Sequence, residues 1–341
     1  MKSLQGMGKY AFRYEKPLAF ALSTAVQKLF QKTFHNLFLI PKPKRVVVCK
    51  HKTQGRWSGL VPARHDRAAD VLAACNRLVA KVLAVAVFDT TFHLTMSEVA
   101  KTYALPYALC EQHHLHRFGF HGIAHQFVSG RLIECIDKVG KSSRCITCRL
   151  GNGASICAVK DGRSIGTSMV MTPMEGLVMG TRSGDVDPGI LLYLQQTLGM
   201  KPEELNEILN HKSGLLGISG ISSDVRDIES AAPGGDKRAE FALELFAYRA
   251  AKTIGAYAVA LEGVDAIAFS GGIGENSASM RERICRRLGF IGVEIDNDRN
   301  AIALLGEAMK ISTDGGLIEV WVIKADGSLQ IALETRNHLS Q

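Results

Sequence analysis

Apolar and polar positions change rhythm along the chain, and each change predicts an element. Residues 83–88 form a short apolar run with β-branched Val85 and Val87 that stops at Asp89. This predicts a buried strand carrying an acid at its C-terminal end. Ala68–Val82, before it, has helical spacing. Further on, Cys145–Leu150, Ala154–Val159 and Arg163–Ser168 predict three strands. Gly151-Asn152-Gly153 and Asp161-Gly162 separate them and supply the positive φ angles of tight hairpins, so the expectation is a three-stranded meander. Asp187-Pro188 caps and opens a helix that runs to about Leu198 and stops at Gly199, and a second helix begins near Pro202. Residues 238–261 are Ala-rich and apolar over much of their surface, which predicts a long, well-buried helix. Asp265–Phe269 predicts a buried strand that opens into Ser270-Gly-Gly-Ile-Gly-Glu-Asn276, with a helix carrying Arg281, Glu282 and Arg283 after it. Ile318–Ile323 and Leu329–Ala332 predict a closing β-hairpin. Near the start, Leu18–Phe38 predicts an amphipathic helix, broken by Pro41-Lys42-Pro43, and Arg45–Val48 a short strand.

Composition alters this picture at one end only. The 341 residues are 46% hydrophobic and 22% charged, which excludes collagen, a coiled coil and wholesale disorder, and the length suits about two domains. A net charge of +8 invites a nucleic-acid or anionic-membrane reading. Yet residues 1–61 hold twelve Lys or Arg against one acid, Glu15, while residues 62–341 carry a net charge of −3. No nucleic-acid fold motif accompanies the basic segment, so a nucleic-acid partner is not expected. The apolar run Leu18–Val26 is too short to span a bilayer, and no secretory cleavage pattern follows it, so no membrane is expected and the location is read as cytoplasmic. Eight irregularly spaced cysteines in a chain of this size fit reduced thiols. Cys145-x-x-Cys148 lacks the second ligand pair of a zinc site and is read as two buried strand cysteines, with no protein metal ligands expected.

Three loops and three side chains carry candidate chemistry. Leu150-Gly-Asn-Gly153 ends a strand and is either a hairpin turn or a cradle of backbone N–H groups for phosphate. Gly271–Asn276 joins a strand to a helix and is either close packing or an anion site; it lacks the Lys-Ser/Thr of a P-loop. Gly180-Thr-Arg-Ser-Gly184 places Arg182 where it either forms a surface ion pair or meets charge spread over phosphoryl oxygens. Asp89 either caps a helix, since Thr90 and Thr91 follow, or orients a reacting group. His121 sits in the tight loop Arg117–Gly122, four residues before His125, and a packed histidine is the alternative to a functional one. Together these parts point to nucleotide phosphoryl transfer.

The residues also carry a resemblance. Val87-Phe-Asp-Thr-Thr-Phe-His93, Phe118-Gly-Phe-His-Gly122, Leu150-Gly-Asn-Gly-Ala-Ser155 and Glu175–Asp185 resemble acetate kinase. So do Lys212–Gly220, Ser223-Asp-Val-Arg226 and Gly271–Asn276, all in the family's order, over about Pro62 to Thr335. The resemblance implies an α/β fold of the acetate and sugar kinase/actin type. Such a fold has two ribonuclease-H-like domains, here with the first incomplete. The expected partition is an atypical basic segment at 1–61, a remnant of the first domain at 62–89 plus 329–341, and the second domain at 90–328. It implies reversible phosphoryl transfer from Mg2+-ATP to acetate, giving acetyl phosphate and ADP, and a homodimer. Carried over by motif, Asp89 is the active-site acid and His121 and Arg182 stabilise the transferring group. Arg149, Leu150, Gly151, Asn152 and Gly153 hold ATP phosphates. Asp224, Val225 and Arg226, with Gly272, Ile273, Gly274, Glu275 and Asn276, surround the nucleotide.

Departures from the family pattern concentrate at the two ends. Residues 1–61 contain no Asn-x-Gly-Ser-Ser-Ser-x-Lys loop. The family's His-Arg-Val-Val-His-Gly-Gly, whose Arg binds the substrate carboxylate, is echoed only by Lys44-Arg45-Val46-Val47, which makes Arg45 the matching position. Arg149 stands where the family has His. Ala325-Asp-Gly-Ser328 replaces Thr-Asn-Glu-Glu, so the carboxylate that helps hold Mg2+ is missing. Two readings follow: an acetate kinase with weak or lost turnover, or a non-catalytic relative that binds nucleotide or a partner. Propionate is the alternative acceptor.

Overall fold

The computed structural model describes residues 37–41, 47–48, 82–303 and 306–339. The predicted helix Ala68–Val82, apart from Val82, which begins a strand, and the site position Arg45 lie outside these residues. The chain divides into two compact units, one of residues 1–47 and 51–85, the other of 48–50 and 86–341. Strands β1 (Leu37–Pro41), β2 (Val47–Val48) and β3 (Val82–Ala86) form a sheet in the order β1-β3-β2. Leu37 and Phe38, expected to end a helix, instead begin β1. β3 fulfils the strand predicted before Asp89 and ends two residues earlier than Phe88.

The second unit is built on a six-stranded sheet in the order β6-β5-β4-β7-β9-β8. β4 (Arg144–Arg149), β5 (Ser155–Lys160) and β6 (Arg163–Thr167) form the predicted meander, antiparallel throughout. β7 (Ala266–Ser270) runs parallel to β4, and β9 (Glu319–Val322) parallel to β7, with β8 (Met309–Lys310) at the edge. Asp161 and Gly162 take the positive φ angles, 52° and 74°, that close the second hairpin.

The twelve helices of the described residues are α1 (Glu98–Lys101), α2 (Tyr107–His113), α3 (Gly122–Cys135), α4 (Pro188–Gln196), α5 (Pro202–Glu207), α6 (Gly214–Ser219), α7 (Val225–Ala231), α8 (Lys237–Ala260), α9 (Gly271–Asn276), α10 (Ala278–Arg286), α11 (Asn297–Ile302) and α12 (Gly327–Leu339). Strand alternation sorts the core into two layers. Ile146, Cys148, Ile156, Ala158, Ile267, Phe269, Val320 and Val322 face α8 and α10. Cys145, Cys157, Val159, Ala266 and Ala268 face Val128 and Leu132 of α3. Cys145 and Cys148, three apart on one strand, therefore enter opposite layers and cannot meet. Both are buried free thiols, and burial pushes Cys145 up to about 12.

Two expectations need correction. α8 spans the predicted residues but buries one stripe, Ala239, Ala242, Leu243, Phe246, Ala247, Ala250 and Ile254, at i, i+3, i+4 spacing. Its other face leaves Phe241, Tyr248 and Val259 exposed, because only one side meets the sheet. The C-terminal hairpin is absent, and Leu329–Ala332 is helical within α12. Asp326-Gly327 starts a helix rather than a turn. The Asp326 carboxylate accepts the Leu329 N–H at 2.9 Å, and Ile331 and Thr335, one helical turn apart, are buried.

Candidate functional site

The site grows from the C-terminal ends of the parallel strands β4 and β7, where the loops that follow them meet. The Leu150 N–H donates to Ser270 O (2.8 Å), and Leu150 O accepts from Ile273 (2.9 Å) and Gly274 (3.2 Å). The two glycine loops are thus stitched through one residue. Gly271 (φ 77°) sits where a Cβ would lie 2.6 Å from Leu150 O, so the approach requires glycine. Glu275 turns inward: its carboxylate accepts the N–H of Gly271 (2.8 Å) and of Ala325 (3.3 Å). Behind the loop, buried Arg281 donates to Gly274 O and Glu275 O, both at 3.0 Å, and to Asn300. Burial lowers this guanidinium to about 10, since it meets carbonyls and an amide rather than a carboxylate.

The third loop is docked onto the first. The Gly180 N–H donates to Asn152 O at 3.0 Å, and a Cβ on Gly180 would lie 1.8 Å from Asn152 Oδ1. This brings Arg182 in: a Cβ on Gly153 would lie 3.6 Å from both Arg182 Nη1 and His121 Cε1. Arg182 is aimed by donating to Pro173 O at 2.7 Å. Arg149 extends from the end of β4, donates to Gly153 O (3.2 Å), and so braces the turn.

His121 and Asp89 meet at the start of α3. His121 takes φ 57° as the helix N-cap. The Gly122 N–H donates to Asp89 O (2.9 Å), and the Ile123 N–H reaches Asp89 Oδ1 at 3.4 Å. Asp89 therefore caps no helix that follows it, since Thr90 precedes the short 3-10 turn Thr91–Thr95. It lies at the N-terminus of α3, with its backbone carbonyl on Gly122 N–H and its carboxylate near Ile123 N–H.

Beneath this surface is a buried polar layer. Ser155 Oγ lies 2.9 Å from His121 Nδ1 and 2.8 Å from His125 Nε2, and His125 Nδ1 lies 2.7 Å from Thr147 Oγ1. His93 bonds Ser164 Oγ through Nδ1 (2.8 Å) and Phe120 O through Nε2 (3.0 Å). Burial brings His93 down to about 4 and holds His125 well below its usual value, so both are neutral. Beside the site, Tyr103 donates to Glu175 (2.6 Å), and Arg117 pairs with Glu175 while lying over the Tyr103 ring.

The acetokinase family model matches residues 50–333. The chain belongs to the acetokinase family. The matched range begins inside the basic segment 1–61. A curated acetate kinase of Clostridium botulinum is 50% identical over 263 residues, covering 77% of this chain and 66% of that protein. An acetate kinase of Dictyoglomus thermophilum is 48% identical over 276 residues, covering 81% and 69%. The chain thus spans about two thirds of these relatives' length. Among solved structures, Porphyromonas gingivalis acetate kinase aligns with a TM-score of 0.79 at 38% identity, over 90% of this chain and 75% of that one. A propionate kinase from Francisella tularensis aligns with a TM-score of 0.77 at 35% identity, over 89% and 76%. The α/β fold of the acetate and sugar kinase/actin type follows.

Of the residues expected at an acetokinase site, the structure brings Asp89, His121, Arg149, Leu150, Gly151, Asn152, Gly153, Arg182, Gly272, Ile273, Gly274 and Glu275 into one region. Asn276 closes α9 by donating to Gly272 O. Asp224, Val225 and Arg226 open α7, and Ser223 O would lie 3.1 Å from a Gly180 Cβ, which ties them to the Arg182 loop. Arg226 holds Asp224 down to about 2 through a hydrogen-bonded, exposed pair. Sequence reasoning missed His93, Thr147, Ser155, Ser164 and Arg281. His93 and Ser155 stood at the ends of quoted motifs, which was the available signal. Among the described residues no three His, Cys, Asp or Glu converge as metal ligands, and no helix is long and apolar enough to cross a membrane.

Proposed function

We propose that this acetokinase-family chain transfers the γ-phosphoryl of ATP to a short-chain carboxylate, acetate or propionate, acting as a cytoplasmic homodimer. The observation that carries the reading is the convergence of His121 and Arg182 on Gly153, beside Asp89 and the stitched glycine loops. A carboxylate oxygen would attack phosphorus as the bond to the ADP oxygen breaks. Negative charge then spreads over three equatorial oxygens, where a guanidinium and an imidazole N–H stabilise it. Backbone N–H groups of Gly151–Gly153 and of Gly272 hold the remaining phosphates, while those of Gly271, Ile273 and Gly274 are bonded to Glu275 and Leu150. Mg2+ would enter with ATP and neutralise phosphate charge. Among the described residues no group of three His, Cys, Asp or Glu forms a protein cage for it.

Turnover is expected to fall well below that of a full-length relative. The carboxylate-binding motif is reduced to Arg45, and oriented contacts of that kind contribute roughly tenfold to a thousandfold each. The same loss supports the second reading, a nucleotide-binding chain without turnover. Acetyl phosphate formed from ATP, Mg2+ and acetate, trapped as the hydroxamate, separates the two, with propionate run in parallel. Slow product formation abolished by Arg182→Ala is the expected result. Turnover equal to a full-length relative sinks the expectation of weakness, and unchanged turnover in Arg182→Ala sinks the assigned site. Nucleotide binding with no product establishes the second reading.

A further inference from the structure

The buried chain Thr147–His125–Ser155–His121 has a direction that can be derived by counting protons. Each hydroxyl has one proton to give, and a neutral imidazole has one N–H and one acceptor nitrogen. His125 is fully buried and neutral, with His93 and Arg149 as the charged or titratable groups that act on it. Ser155 Oγ could also accept from both rings, but its own O–H would then lack an acceptor among the described residues, so two polarities remain. In one, every proton points toward His121; in the other, every proton points away.

Thr147 decides between them. Its side chain is buried, and among the described residues His125 Nδ1 is the hydrogen-bond partner of Oγ1. If the protons ran away from His121, the imidazole would donate to Thr147, and the threonine O–H would be left buried without an acceptor. That disfavours the outward polarity by roughly tenfold or more in population. With protons running inward, Thr147 O–H donates to His125 Nδ1, and His125 Nε2–H donates to Ser155. Ser155 O–H then donates to His121 Nδ1, and every buried polar atom is satisfied. In its neutral form His121 then carries its proton on Nε2. A second histidine fastens the same loop with the same tautomer: His93 Nε2 faces Phe120 O, which can only accept, so that nitrogen carries the hydrogen.

We propose that Thr147, His125 and Ser155 are positioning residues that fix His121 as its Nε2–H tautomer, giving the site a neutral N–H donor. The tautomer follows from the buried chain alone; its use on a phosphoryl oxygen rests on the kinase reading above. Substrate chemistry at this ring then falls to Nε2, because Nδ1 is engaged by Ser155.

The test is nitrogen NMR of the full chain labelled with 15N-histidine at pH 8, with His121→Gln used to identify the His121 signals. The expected pattern is a protonated Nε2 and an unprotonated Nδ1 on both His121 and His125. A protonated Nδ1 on His121, or equal populations, overturns the proposal. In Thr147→Val the His121 signals move toward a mixture, and Thr147→Ser restores them. An unchanged His121 in a folded Thr147→Val protein overturns it as well. Where turnover is measurable, Thr147→Val lowers kcat about tenfold with the KM for ATP unchanged, and Thr147→Ser restores it. If wild type shows the expected tautomer but makes no acetyl phosphate, the kinase reading fails and the tautomer assignment stands.

Discussion

The glycine loops and the histidine loop meet at Gly153, but different contacts dominate in holding them in place. Leu150–Gly153 and Gly271–Asn276 are set largely by backbone hydrogen bonds through Leu150, and their geometry depends on missing side chains. The loop Phe118–Gly122 has backbone ties at Gly119 and Gly122, but its imidazole is set by side chains, with His93 bonded to Phe120 O and Ser155 joining His121 to His125. A phosphate cradle needs only N–H groups and room. A single oriented imidazole needs its tautomer and its angle defined, and that requires buried partners.

The largest effect expected from breaking this arrangement is on turnover. Arg182→Ala lowers acetyl phosphate formation, read as trapped hydroxamate, by about a thousandfold. Gly122→Ala strikes the histidine loop sterically. A Cβ there would lie 2.0 Å from Asp89 O, a clash with backbone, and urea denaturation should show a loss of about 3 kcal/mol. Acid probes the same loop. His93 sits at about 4 when folded and near 6.5 when unfolded, so the unfolded chain takes the proton first as pH falls. This contribution is complete above pH 6.5 and declines toward pH 4, by about 3 kcal/mol in a urea series, and His93→Gln should flatten the slope.

Smaller effects sharpen the contrast. Gly162→Ala keeps open space around the new methyl, so only its φ of 74° costs, about 1 kcal/mol in the same assay. Arg226→Ala should leave the urea midpoint unchanged, because its pair with Asp224 is exposed, and should weaken ATP binding measured by calorimetry.

Local rules reached far in the sheet half of the molecule. The meander, the helix starts at Asp187-Pro188 and Asp224, and the strand before Gly271 follow from alternation, turn pairs and caps within a few residues. The same locality misled at Asp326-Gly327. That pair serves a hairpin or a helix start equally, and the burial of Ile331 and Thr335 tips it toward the helix. α8 was over-buried in expectation for a related reason: its apolar residues surround the helix, while the sheet covers one side.

The sequence by itself determined the family, the order of the loops, the strands that launch them and the residue types those loops carry, because those depend on neighbours along the chain. Only the tertiary structure decided that Ser155 joins His121 to His125, that Asp89 lies at the start of α3, and that Arg182 reaches Gly153. Those pairings span tens of residues. They arise from which strand ends the sheet register places side by side, a quantity absent from any local window.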